Sequence, residues 1–386
     1  MRGHIKQRTK SADSWSVVIE LGKIDGKRTQ KWFTVHGNKN DAEKFLTEKL
    51  RELDTGSFSN SKNMTVENYM NYWYREFCEI HLSPTTYESY RRNLDKYIIK
   101  ELGAIKLDNL SPIHLQNFYN HCLKKNLSKT TVKYIHRIIH SALSQAIKWQ
   151  LLSKNVADNV EPPKPDKYQA NFLDKNQISL LILLLKKTYI YVPVMIAIAT
   201  GMRRGEILGL TWENVNLKRR TINIIQAVYQ LNGKLVTLPP KTNSSIREIS
   251  IPKKLVKILK KHRKQQNRAK KLLGNEYNPE HYICTTEDGR LISPSSLNHK
   301  FKDILDANHF PAIRIHDLRH SHASLLLSMG VDAKFISQRL GHSGISITMD
   351  LYTHVYNKTN KKVANICNRF IRFNPFSFVS KWLANY

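Results

Sequence analysis

A chain of 386 residues implies two or three domains, and 62 lysines and arginines against 31 aspartates and glutamates give it a formal net charge of +31. A soluble surface needs only about 2–8 net charges for a small domain, so this excess points to a polyanionic partner, nucleic acid ahead of membrane. Cys78, Cys122, Cys284 and Cys367 are scattered without a CxxC pair, Met1 precedes basic and polar residues, and the longest apolar run is Ile178–Leu185; these argue against a disulfide scaffold, a secretory signal and a membrane span, and fit a reducing cytoplasm.

In chain order, residues 1–56 read as a small α+β unit. Trp15–Leu21 and Lys31–Val35 are β-branched or aromatic runs around an Asp25-Gly26 turn. Asn40–Leu53 places Ala42, Phe45, Leu46 and Leu50 on one helical face, with Gly56 as its stop. Lys6, Arg8, Lys10, Lys27, Arg28 and Lys31 make the unit basic, and Gly56–Asn63 is a polar linker. Residues 64–160 are helical throughout. Thr65 caps a first helix with Glu67 near the capping-box position, Pro84 opens a second, Ser111-Pro112 a third, and Ser128 a long last one. Tyr69, Trp73, Tyr90, Phe118 and Tyr119 recur at helical spacing and are assigned to a core rather than to base stacking. Three prolines in Glu161–Lys167 cannot continue a helix and set an interdomain linker at 161–169.

Residues 170–386 read as a mainly α domain with a small antiparallel sheet. Asp174 caps KNQISLLILLLKK, and Tyr191–Ala199 is a buried helix. TINIIQAVY, KLVTL and IREISI are strands around turns at Asn232-Gly233 and Asn243–Ser245. The basic helix Lys253–Lys271 fits a solvated face and a DNA-facing one equally well. Ser293–Asp306 and Ile315–Ser328 are further helices; beyond Tyr352, Lys358–Phe370 is helical in pattern and the chain ends in an aromatic stretch.

The chemistry concentrates between Ile315 and His354. His316 and Arg319 share one helical turn, Gly341-His342 follows, and Tyr352 comes ten residues after His342. Arginine suits a planar, bidentate grip on phosphate oxygens. A tyrosine hydroxyl, with a free pKa of roughly 10, needs such a cationic setting to attack phosphorus. Upstream stand Thr200-Gly201-Met202-Arg203-Arg204-Gly205-Glu206 and, on the hairpin, Lys241 in KTNSSIREISIP. This set and order of motifs, over about half the chain, resembles the tyrosine recombinases, or phage-type integrases.

That resemblance implies the following expectations. Residues 1–56 would be an arm-type DNA-binding domain, 64–160 an all-α SAM-like core-binding domain, and 170–386 the catalytic domain. Arg203 and Arg319 would clamp the scissile phosphate and His316 and His342 would hydrogen-bond it. Lys241 would protonate the leaving oxygen, Tyr352 would be the nucleophile, and Glu206 would support the site. Spacing favours Arg203 over Arg204, Lys241 over Lys234 and Tyr352 over Tyr356; His320, His322 and His354 receive no catalytic role. No cofactor or metal is called for. The partners would be double-stranded DNA at core and arm sites and a homotetramer assembled on DNA from solution monomers, with a directionality factor and a host DNA-bending protein as accessories. Competing readings are a type IB topoisomerase-like nicking-closing enzyme and a catalytically silent DNA-binding protein. HDLRH also has the His spacing of a zinc motif, but Arg319 would put a guanidinium beside the dication and Asp317 is one methylene short.

Overall fold

Three antiparallel strands, β1 (Gly3–Gln7), β2 (Ser14–Ile24) and β3 (Lys27–His36), are followed by helix α1 (Lys39–Asp54) in the first of two units, Met1–Lys167 and Tyr168–Tyr386, of the computed structural model. The structure describes residues 3–7, 14–24, 27–54, 64–166, 173, 175–240, 245–342 and 344. The Asp25-Gly26 turn, the Gly56–Asn63 linker, Asp174, Lys241, Tyr352 and the carboxy-terminal tail lie outside the described residues. Strand β1 was not among the runs singled out in the sequence. Ile5, Trp15, Val17, Ile19, Phe33 and Val35, every second residue of their strands, pack with Ala42, Phe45 and Leu46 of α1. Asn38 and Asp41 exchange backbone-to-side-chain hydrogen bonds of 3.0 Å each, which fixes the start of α1.

The rest of this unit is helical. α2 (Val66–Trp73) continues through a π turn, Tyr74–Cys78, into α3 (Glu79–His81); α4 (Pro84–Asn93) continues through a second, Leu94–Ile98, into α5 (Ile99–Leu102). α6 (Pro112–Lys124) and α7 (Lys129–Lys148) complete it. Thr65 accepts from the Asn68 amide at 3.2 Å, so the third helical position is Asn68 and the capping box expected with Glu67 does not form. Tyr69, Trp73, Phe118 and Tyr119 are buried in one core with Leu115, Ile135 and Ile138. The Tyr69 hydroxyl donates to the Ala142 carbonyl at 2.5 Å, which satisfies the polar end of a fully buried ring. Arg91 is held by Asp95 and Asn71 and lies over the Tyr74 ring, 5.2 Å from its centroid.

The second unit begins with α8 (Lys175–Leu185), α9 (Tyr191–Thr200) and α10 (Arg204–Leu208). A three-stranded antiparallel sheet follows in the order β4 (Val215–Asn216), β5 (Thr221–Ile224), β8 (Arg247–Ser250), with a separate hairpin of β6 (Ala227–Leu231) and β7 (Lys234–Leu238). The hairpin turns at Asn232 and Gly233, both at positive φ. TINIIQAVY is therefore two strands, not one. The break falls at Ile225-Gln226, where the Gln226 side chain donates to the Gly209 carbonyl at 2.8 Å and the chain changes sheets. Helices α11 (Lys253–Leu273), α12 (Pro294–Ala307), α13 (Ile315–Ser328) and α14 (Ala333–Leu340) complete the described part. One core gathers Leu181, Ile196, Ile207, Ile222, Leu255, Phe301 and Leu318, so α9 and α13 are clamped side by side with their functional ends fixed. No described helix is long and apolar enough to cross a membrane. The mainly α fold with small antiparallel sheets is the one expected from the sequence.

Candidate active site

Two helix ends define the site. α9 and α14 each finish on a left-handed glycine, Gly201 and Gly341, both at φ +68°. Helix ends leave carbonyls without intrahelical donors, and these carry the negative end of the helix dipole. Here arginines satisfy them. The last three carbonyls of the α14 end, Arg339, Leu340 and Gly341, accept from three different guanidinium groups: Arg247 at 2.8 Å, Arg319 at 2.8 Å and Arg203 at 2.5 Å. Arg319 also donates to the Gly201 carbonyl at 2.8 Å, tying the two ends together. His342 follows directly, and its amide donates to the Ser337 carbonyl at 3.1 Å. The close approach needs glycine at 201: a Cβ there would lie 2.5 Å from Leu340 Cδ2 and 2.8 Å from His322 Cδ2.

Glu206 anchors the cationic side. It is buried at 2 % exposure and accepts four hydrogen bonds: the Arg203 amide (2.9 Å), Arg203 Nη1 (2.7 Å), Arg247 Nη1 (3.2 Å) and Arg247 Nη2 (2.9 Å). Burial alone would raise this carboxyl; hydrogen bonds and charge from Arg247, then Arg203, overcome that and hold it below the usual carboxylate range. Arg203 also donates to Ser245 Oγ at 3.3 Å. Its neighbour Arg204 instead reaches the Pro294 carbonyl, away from this cluster.

His316 and Arg319 sit one turn apart near the start of α13, and His316 meets His320 edge to face with ring centroids 5.1 Å apart. His316 is exposed at the surface, yet desolvation by the surrounding protein, then His320 and Arg319, pull its imidazole down to about 4. His342 is also pulled down to about 4, by burial first and then by Arg319 and Arg203. Burial, then Arg203, lower Arg319 to about 9, which leaves it charged at neutral pH. The resting site thus holds charged guanidinium groups beside neutral imidazoles. An entering phosphate would lower the cost of crowding these charges and strengthen both kinds of donor.

Of the seven residues singled out in the sequence, Arg203, Glu206, Arg319 and His342 are brought together and His316 stands one helical turn from Arg319, while Lys241 and Tyr352 lie outside the described residues. Arg247 is not among those seven, yet it is as much part of this network as Arg203. Its partners Glu206 and Arg339 stand 41 and 92 residues away, so no local signal in the sequence marks it. His322 does stay out of the reacting cluster. Its Nδ1 donates to the Ile198 carbonyl at 2.9 Å, and Arg339 Nε donates to its Nε2 at 3.3 Å. Asp317, the residue that would serve a zinc motif as base, is fully buried and caps its own helix by accepting from the Arg314 amide at 2.8 Å.

Residues 171–359 match the model of the phage integrase family, and residues 65–123 match that of the phage integrase N-terminal SAM-like domain. The chain belongs to the phage integrase family of tyrosine recombinases. Among its relatives is a tyrosine recombinase XerC-like protein of Caldanaerobacter subterraneus subsp. tengcongensis, 29% identical, covering 92% of this chain and 95% of the relative. The ICEBs1 integrase of Bacillus subtilis is 28% identical over 76% of this chain and 80% of its own length. Among solved structures, the recombinase shares the fold of the Tn1549 transposon integrase in complex with a circular intermediate DNA, with a TM-score of 0.67 at 19% identity, covering 79% of this chain and 100% of that one. It also shares the fold of a lambda integrase tetramer bound to a Holliday junction, with a TM-score of 0.55 at 14% identity over 90% and 96% of the two chains.

Proposed function

We propose that this tyrosine recombinase is the integrase of a mobile element, and that it cuts and rejoins double-stranded DNA at specific sites through a 3′-phosphotyrosine and a Holliday junction. The observation that carries the reading is the convergence of Arg203, Arg319 and His342 on the paired ends of α9 and α14, with His316 one helical turn before Arg319 and Glu206 fixing Arg203 from behind. Such fixed donors suit a charge that builds on non-bridging phosphate oxygens in the transition state. In this scheme the Tyr352 oxygen bonds to phosphorus as the bond to the 5′ oxygen breaks. The phenolic proton passes to a neutral imidazole, His342 being the nearer in sequence, and Lys241 gives a proton to the departing oxygen. The phosphoryl bond is conserved, so rejoining needs no nucleotide cofactor.

The mobile-element relatives, the ICEBs1 and Tn1549 integrases, support this assignment over a topoisomerase-like one. The DNA-bound and tetrameric neighbours support a homotetramer on DNA, with residues 1–56 at arm sites and 64–160 and 170–386 around the core site. A duplex nicked just beyond the cut position lets the short 5′-hydroxyl strand diffuse away and traps the intermediate. A protein–DNA adduct stable to denaturation is expected; DNA binding without any adduct would favour a silent binding protein. Accumulation of Holliday junctions from two such sites separates recombination from nicking and closing.

A further inference from the structure

Helix α11 spans 21 residues and holds ten lysines and arginines and no carboxylate. Leu255, Val256, Leu259 and Gln266 bury one edge. The Gln266 side chain accepts from Trp212 Nε1 at 2.8 Å and His262 meets the Ile283 carbonyl at 2.8 Å, so the helix is pinned along its length. On the opposite edge Lys254, Lys257, Lys261, Lys264, Arg268 and Lys271 recur at alternating spacings of three and four, and all six are exposed. At 1.5 Å per residue they form a straight rail about 25 Å long, the length of about seven base pairs at 3.4 Å each.

This pattern differs from an ordinary solvated face, where charges of both signs alternate and pair. The recombinase builds that ordinary kind elsewhere: Lys39 pairs with Glu43 at 3.6 Å and Lys125 with Glu101 at 3.0 Å. Among the described residues, none of the six rail cations is ion-paired. Like charges one turn apart repel, so the rail is a standing destabilisation that a polyanion relieves. The buried edge of α11 packs on α9, so the rail points away from the helix whose end carries Gly201.

We propose that the outer edge of α11 docks the phosphate backbone of a second stretch of duplex DNA, without regard to its sequence. This rests on the DNA-cutting assignment above and adds a surface to it. A straight helix follows a curving backbone for only part of its length, so about three phosphates are held, each adding about 0.9 to the salt dependence of binding. The test replaces all six rail residues by glutamine in the full chain and measures binding to a long duplex without a cut site across a salt series. The slope of log affinity against log salt should fall by about three, while adduct formation on a short nicked duplex carrying the cut site is kept. An unchanged slope in a variant that melts like wild type overturns the proposal. So does loss of the adduct in such a variant, because the rail would then serve the cut duplex. Loss of binding to anionic vesicles with an unchanged DNA slope reassigns the rail to lipid. If the six-fold variant does not fold, Lys257→Glu with Lys264→Glu reads the same slope with two changes. A wild-type chain that forms no adduct yet keeps a rail-dependent slope would sink the recombinase reading and leave the rail standing.

Discussion

Arg247→Ala removes the guanidinium group that joins Glu206 to the end of α14. It deletes two hydrogen bonds to the buried carboxylate, one to the Arg339 carbonyl and one to the Ser245 carbonyl. Arg247 is 8 % exposed and Glu206 2 %, so solvent screens little of the loss. Breaking a buried pair by removing one partner costs about 3–5 kcal/mol. Glu206 keeps Arg203, so the lower end, about 3 kcal/mol, applies. For a unit of this size about 1 kcal/mol moves the melting temperature by about 2–4 °C, so a fall of roughly 6–12 °C is expected. Glu206→Gln should cost a similar amount, because it leaves Arg203 and Arg247 facing each other without a counter-charge. In the double variant the two losses should fall short of their sum by at least about 1 kcal/mol, because they share one network. Thermal unfolding of the four proteins in one buffer gives the cycle. Arg247→Ala melting within about a degree of wild type, or losses that simply add, would refute the assignment of Glu206 and Arg247 to a single coupled network.

Other outcomes follow from the same geometry. Gly201→Ala forces a side chain into the left-handed region, which costs about 1–2 kcal/mol, and into contact with His322, whose ring is fixed at both nitrogens; the variant should melt lower and cut more slowly. His322 is pulled down to about 4 by burial and then by Arg339, below the roughly 6.5 of an unfolded chain. Its contribution to stability is therefore whole above pH 6.5 and is lost as pH falls toward 4, so the melting temperature should drop over that window; a flat profile would count against a neutral, buried ring. Adduct formation should persist in EDTA, and loss restored by added Mg²⁺ would contradict a site in which arginine and histidine, not a metal, stabilise the phosphate charge.

The parts of the fold legible in the sequence are those where local chemistry and tertiary packing agree. The helix Ile315–Ser328 has its expected bounds, and Ser111, Ser128 and Ser293 stand before helices as their side chains favour. The π turns at Tyr74–Cys78 and Leu94–Ile98 add one residue to a turn without disturbing the apolar pattern, so no periodicity reveals them. The break in TINIIQAVY depends on the carbonyl of Gly209, seventeen residues before Gln226. Arg247 was overlooked for a related reason: on a strand its spacing says only which face it takes, and its partners Glu206 and Arg339 are 41 and 92 residues away. Arg203, His316, Arg319 and His342 could be picked out because each falls in a short motif, and the order of those motifs resembles a known family.

Sequencing the peptide that carries the trapped strand tests the central claim most directly. After suicide-duplex cleavage, denaturation and proteolysis, mass spectrometry should find a nucleotide remnant bonded through phosphate to the Tyr352 oxygen, and Tyr352→Phe should bind the same duplex but yield no such peptide. A remnant on Tyr356 or on any other side chain, or an undiminished yield from Tyr352→Phe, would contradict the account.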